Sequence, residues 1–77
     1  MEFHVSGNML THLPESIGDL VNLEILDLKD NKICELPVRL GCLSKLLKLN
    51  LDSNQLQVIP TCIGQLQKLS DLSIAQN

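Results

Sequence analysis

The sequence repeats itself every 23 residues, and this period constrains the fold more than any other feature. Four asparagines, all three prolines and three of the four glycines recur at this spacing. These positions are Asn8, Asn31, Asn54 and Asn77; Pro14, Pro37 and Pro60; and Gly18, Gly41 and Gly64. A period in this range is typical of stacked structural units that share one continuous core. The composition agrees, because leucine supplies 17 residues while the chain has one Phe and no Tyr or Trp.

One full repeat reads L-x-x-L-x-L-x-x-N-x-I-x-x-L-P-x-x-L-G-x-L from Leu23 to Leu43. Its first half resembles the signature of the leucine-rich repeat family. Its second half is similar to the 23-residue repeats of intracellular scaffolds of the Ras-suppressor, Scribble and Erbin type. The resemblance covers the whole chain, so we expect residues 1–77 to form one segment of about three and a third repeats. We also expect this segment to be an excerpt of a longer array.

The predicted fold class is α/β, an open right-handed leucine-rich repeat solenoid with a parallel concave sheet. The alternating L-x-L tripeptides predict strands at Phe3–Val5, Leu26–Leu28, Leu49–Leu51 and Leu72–Ile74. The segments after each proline predict short helical or 3₁₀ turns on the convex side. The repeated asparagines are expected to bind backbone groups of their own repeat and of the next one.

Because the leucines of each strand point inward, binding on the concave side depends on the intervening residues. Stacking places Glu2, Ile25, Lys48 and Asp71 in one row and His4, Asp27, Asn50 and Ser73 in the next. The predicted partner-binding residues are Ile25, Asp27, Lys29, Asp30, Lys48, Asn50, Asp52 and Asp71. Five acids and two lysines give this face the whole net charge of −3, which favours a basic partner. The alternative is a solvated face with lateral Lys29–Asp52 and Lys48–Asp71 pairs.

Several other classes of function are disfavoured by the sequence. The acidic balance and absence of a basic patch argue against nucleic-acid binding, and no apolar run is long enough for membrane insertion. His4, Ser6 and Asp27 have the composition of a hydrolase triad, but a flat sheet offers no oxyanion donors. Three aspartates could attract Ca²⁺, yet a flat sheet does not surround an ion. We therefore expect no enzyme activity, cofactor or metal.

The function that the resemblance implies is protein–protein interaction within a signalling scaffold. The partners expected are a protein with a basic surface and the neighbouring repeats of the parent chain. A regulatory or targeting arm of a larger signalling enzyme is an alternative, and so is a structural element of a large assembly such as a ciliary complex. The scattered odd number of cysteines and the lack of a signal peptide favour a cytoplasmic location.

Overall fold

The computed structural model describes residues 1–7, 9–57 and 61–75. Four parallel strands form one sheet in chain order: β1 (Glu2–His4), β2 (Ile25–Asp27), β3 (Lys48–Asn50) and β4 (Asp71–Ser73). Between them lie three 3₁₀ helices, at Glu15–Asp19, Val38–Cys42 and Thr61–Gln65. Each helix returns the chain to the next parallel strand, so the sheet and the helices occupy opposite sides of a right-handed solenoid.

The register of the sheet is the one that the 23-residue period predicts. Phe3 lies beside Leu26, Leu26 beside Leu49, and Leu49 beside Leu72. Each strand begins one residue earlier than expected. The carbonyl of Glu24 accepts hydrogen bonds from both Leu47 and Lys48, so pairing starts before the L-x-L tripeptide. Beyond the regular strands, the Leu28 amide still donates to the Asn50 carbonyl at 2.8 Å, which extends the ladder.

The core is built from columns of leucine and isoleucine between the sheet and the helices. Nine side chains in it are almost completely shielded from solvent: Leu23, Leu26, Leu28, Ile33, Leu40, Leu43, Leu46, Leu49 and Leu51. They come from equivalent positions of successive repeats, as the repeat pattern requires. Fully burying one such side chain stabilises a fold by about 1.5–3 kcal/mol.

Two buried asparagines close the turns that follow the strands. Asn54 donates from Nδ2 to the carbonyls of Leu51 at 3.0 Å and Leu28 at 2.9 Å. Its Oδ1 accepts from the Ile33 amide at 3.1 Å. Asn31 makes the equivalent bonds one repeat earlier. The prediction was therefore wrong in direction, because each side chain points back to the preceding repeat and not forward to the next. Asn8 and Asn77 lie outside the described residues.

The convex side packs closely because of its prolines and glycines. Pro14 and Pro37 precede the first two helices with φ of −69° and −71°, the value that the proline ring imposes. A Cβ atom added to Gly18 would lie 2.6 Å from the carbonyl oxygen of Arg39, so the glycine lets adjacent helices approach. No helix within the described ranges is both long and apolar enough to span a bilayer.

Candidate interaction surface on the concave sheet

A shallow depression crosses strands β2, β3 and β4 on the concave side. Its lining residues are Ile25, Leu26, Asp27, Lys48, Leu49, Asn50, Asp71 and Ser73. Five of the eight predicted binding residues meet here, whereas Lys29, Asp30 and Asp52 lie outside its lining. Ser73 belongs to the depression but was not among the predicted residues, although its row position could have identified it.

The rows of side chains are those that the register predicts, but the lateral ion pairs are not formed. Within the described residues, no ion pair joins Lys29 to Asp52 or Lys48 to Asp71. Asp52 has other partners, since its Oδ1 accepts from Ser73 Oγ at 2.6 Å and from the Ala75 amide at 2.8 Å. Asp52 therefore holds the end of β4 and is less available to a partner.

Two residues of the depression also shape the turns that follow their strands. Asp27 Oδ1 accepts from the Lys29 amide at 3.3 Å, and Asn50 Oδ1 accepts from the Asp52 amide at 3.0 Å. These bonds leave the Asn50 amide nitrogen without a partner among the described residues. Neither the Lys48 ammonium nor the Asp71 carboxylate forms a hydrogen bond or ion pair within the same ranges. The depression therefore presents polar groups of both signs beside the partly exposed Ile25.

A histidine between two carboxylates borders the depression on β1. His4 Nε2 lies 3.0 Å from Glu2 Oε1, and Nδ1 lies 3.5 Å from Asp27 Oδ2. The hydrogen bond to Glu2, and then that to Asp27, raises the pKa of His4 above its ordinary value. The hydrogen bond from His4 lowers the pKa of Glu2. Sequence reasoning missed this pair, although residues two apart on one strand share a face.

The arrangement does not resemble a hydrolase triad. A triad needs one histidine nitrogen to face the nucleophile, whereas both nitrogens of His4 face carboxylates. No group of three or more His, Cys, Asp or Glu side chains in the described part of the chain could hold a metal ion.

The cysteines are free thiols in three different environments. Cys62 is buried, and burial raises the pKa of its thiol. Cys42 and Cys34 are exposed, and the Cys34 sulfur lies 3.9 Å from His12 Nε2 on the side of the solenoid.

The fold and its asparagine columns agree with the comparison with known proteins. The model of a leucine-rich repeat region matches residues 3–77. This chain belongs to the leucine-rich repeat family. A solved leucine-rich repeat protein from Leptospira interrogans is 47% identical to it, with a TM-score of 0.94 over 96% of this chain. The match covers 19% of that protein, so the chain spans about a fifth of its length. No curated protein matches the chain.

Family membership establishes the general class of function. Leucine-rich repeats are generally protein-interaction modules, so they bind protein partners. The family and the solved relative point to a repeat protein and not to an enzyme.

Proposed function

We propose that this chain is a protein-interaction module of an intracellular scaffold in the cytoplasm, and that it binds a partner through the concave sheet. The observation that carries the proposal is the depression across β2, β3 and β4. It gathers side chains without partners among the described residues, Lys48 and Asp71, next to the apolar Ile25. Rigid strands hold these groups, so little ordering is required on binding.

The partner that fits this surface is a protein segment with mainly basic side chains. The concave face contains five acids and two lysines, which attract cations at long range. Asp71 and Asp30 are the exposed acids of this face for which no hydrogen bond or ion pair occurs within the described residues. Lys48 adds one contact for an acidic group of the partner, so the partner's charge is basic but not uniform.

The surface is small compared with a complete interface. Four strands about 4.8 Å apart span roughly 14 Å, whereas a standard interface buries about 800 Å² per partner. We propose that residues 1–77 act as one segment of a longer repeat array. The match to 19% of a longer leucine-rich repeat protein supports this arrangement. The second half of each repeat, with its Leu-Pro and Gly positions, supports a relation to Ras-suppressor, Scribble and Erbin type scaffolds.

The test is affinity capture of partners from cytosolic lysate, followed by binding of the purified partner. One variant combines Ile25→Lys, Asp27→Lys and Lys48→Glu on the concave face. The matched control combines Val38→Lys, Glu15→Lys and Lys32→Glu, which are exposed and lie outside the depression. Both triple variants change the net charge equally.

We expect the concave variant to lose the partner and the control to retain it, while circular dichroism shows both to be folded. If the control loses the partner and the concave variant keeps it, the concave proposal is wrong.

A further inference from the structure

A second depression lies on the convex side, at the ends of the second and third 3₁₀ helices. Its lining residues are Ser44, Lys45, Gln65, Gln67 and Lys68, which we call the basic edge. Every one of them is polar or cationic, and none carries a carboxylate. This composition contrasts with the concave face, where acids outnumber lysines.

The repeat period explains why the cations gather there. Asn22, Lys45 and Lys68 occupy equivalent positions 23 residues apart, so they form a column along the solenoid. Asn22 Oδ1 accepts a hydrogen bond from Lys45 Nζ at 3.1 Å, which orients that ammonium along the column. An ammonium has three N–H donors, so Lys45 retains capacity for an incoming anion.

The two lysines of the basic edge are not neutralised within the described part of the chain. Neither of them forms an ion pair there. Arg39 is different, because its guanidinium lies 2.7 Å from the Asp19 carboxylate. The basic edge is therefore a local positive surface on a chain whose net charge is −3.

We propose that the basic edge binds an acidic segment of a protein partner. Two carboxylates of that segment contact Lys45 and Lys68, and the Ser44 hydroxyl and the two glutamine amides donate further hydrogen bonds. This second surface goes beyond the proposed concave site and takes a partner of the opposite charge. A module with both surfaces joins two different proteins across its own thickness.

A structural role for the same lysines makes a different prediction. Cations near the end of a helix are favoured by its last carbonyl groups, and lysine at these positions could serve only that purpose. Substitution would then lower stability without changing any binding. The experiment must therefore measure both quantities on the same variants.

The probe is a fluorescein-labelled oligoglutamate peptide, and its binding to the full chain is followed by fluorescence anisotropy at low salt and at about 0.15 M salt. The variants are Lys45→Glu, Lys68→Glu and the double variant. Lys32→Glu is the matched control, because it makes the same charge change on an exposed residue outside the basic edge.

We expect each single edge variant to weaken binding severalfold and the double variant by about tenfold or more. Lys32→Glu should change it less than about twofold. The concave triple variant should retain the peptide, which separates this proposal from the concave one. If an edge variant unfolds by circular dichroism, Lys45→Gln with Lys68→Gln replaces it.

Three results would overturn the proposal. The first is an equal loss in Lys32→Glu, which would mean unspecific charge attraction. The second is the absence of peptide binding at low salt. The third is binding of phosphatidylserine vesicles in place of the peptide, which would assign the edge to a membrane surface.

Discussion

The two middle strands and the two outer strands carry the same repeat positions in very different surroundings. Leu26 and Leu49 are 0% and 1% exposed, whereas their equivalents Phe3 and Leu72 are 37% and 40% exposed. All four occupy one column of the parallel sheet. The difference shows that a repeat position has no fixed contribution to stability, because the neighbouring repeats on both sides supply the burial.

The largest effect expected from this difference is at the leucine column. Leu49→Ala should lower the free energy of unfolding by about 2–5 kcal/mol, because it leaves a cavity between packed repeats. Leu72→Ala should cost only about 1 kcal/mol, because the side chain is already partly in water. Urea denaturation at one protein concentration measures both. Equal losses would contradict the comparison.

Removal of a buried asparagine should have the next largest effect. Asn54→Ala leaves the Leu28 and Leu51 carbonyls and the Ile33 amide without their side-chain partner, at a cost of about 3 kcal/mol. Asn50→Ala, on the open face, should cost less than about 1 kcal/mol. Hydrogen exchange of the Ile33 amide should quicken in the first variant only. Unchanged exchange there would mean that the asparagine is dispensable.

The glycine column permits a matched test on the convex side. Gly18→Ala should destabilise the chain by about 1–3 kcal/mol, because the new methyl group meets the Arg39 backbone. A Cβ on Gly64 would meet nothing within 4 Å, so Gly64→Ala should be neutral or stabilise by about 0.4–1 kcal/mol. Thermal unfolding midpoints of the two variants give the comparison. A similar loss in both would show that close approach is not the reason for the glycine.

The smallest expected effect concerns the outer strand β1 and depends on pH. Because the folded-state pKa of His4 is raised, the stability that its charged form adds is complete below 6.5 and is lost as pH rises through the higher folded value. The thermal midpoint should therefore fall slightly above neutral pH, and His4→Gln should abolish that change. An NMR titration of the His4 ring should give a midpoint above 6.5 that decreases in Glu2→Gln. A midpoint unaffected by Glu2→Gln would contradict this assignment.

The repeat period made the architecture predictable from sequence. It equates positions 23 residues apart, so the inward column through Leu26 and Leu49 and the rows of the concave face follow directly. The first residue of each strand did not follow, because it depends on the carbonyl of the preceding residue, as at Glu24. The direction of the Asn31 and Asn54 bonds did not follow either. A repeating pattern reads the same whether a side chain binds forward or backward.

The chemistry of the concave face was less predictable than its composition. The period shows that Lys29 lies beside Asp52, but not which partner Asp52 selects. The Ala75 amide and the Ser73 hydroxyl are held close by the sheet, so they bind that carboxylate without ordering a long lysine side chain. Which of these groups touches a partner depends on the partner's shape, which this sequence does not encode.

The asparagine bonds also have a consequence for how such a gene changes length. Asn54 binds Leu28 and Ile33, and Asn31 binds the equivalent Val5 and Leu10. Loss of residues 24–46 would bring Asn54 to Val5 and Leu10, with every partner replaced by its counterpart. Loss of any other number would turn leucines outward. Recombination that is in step with the period therefore preserves a folded product, so the family can grow or shrink by whole units of 23 codons.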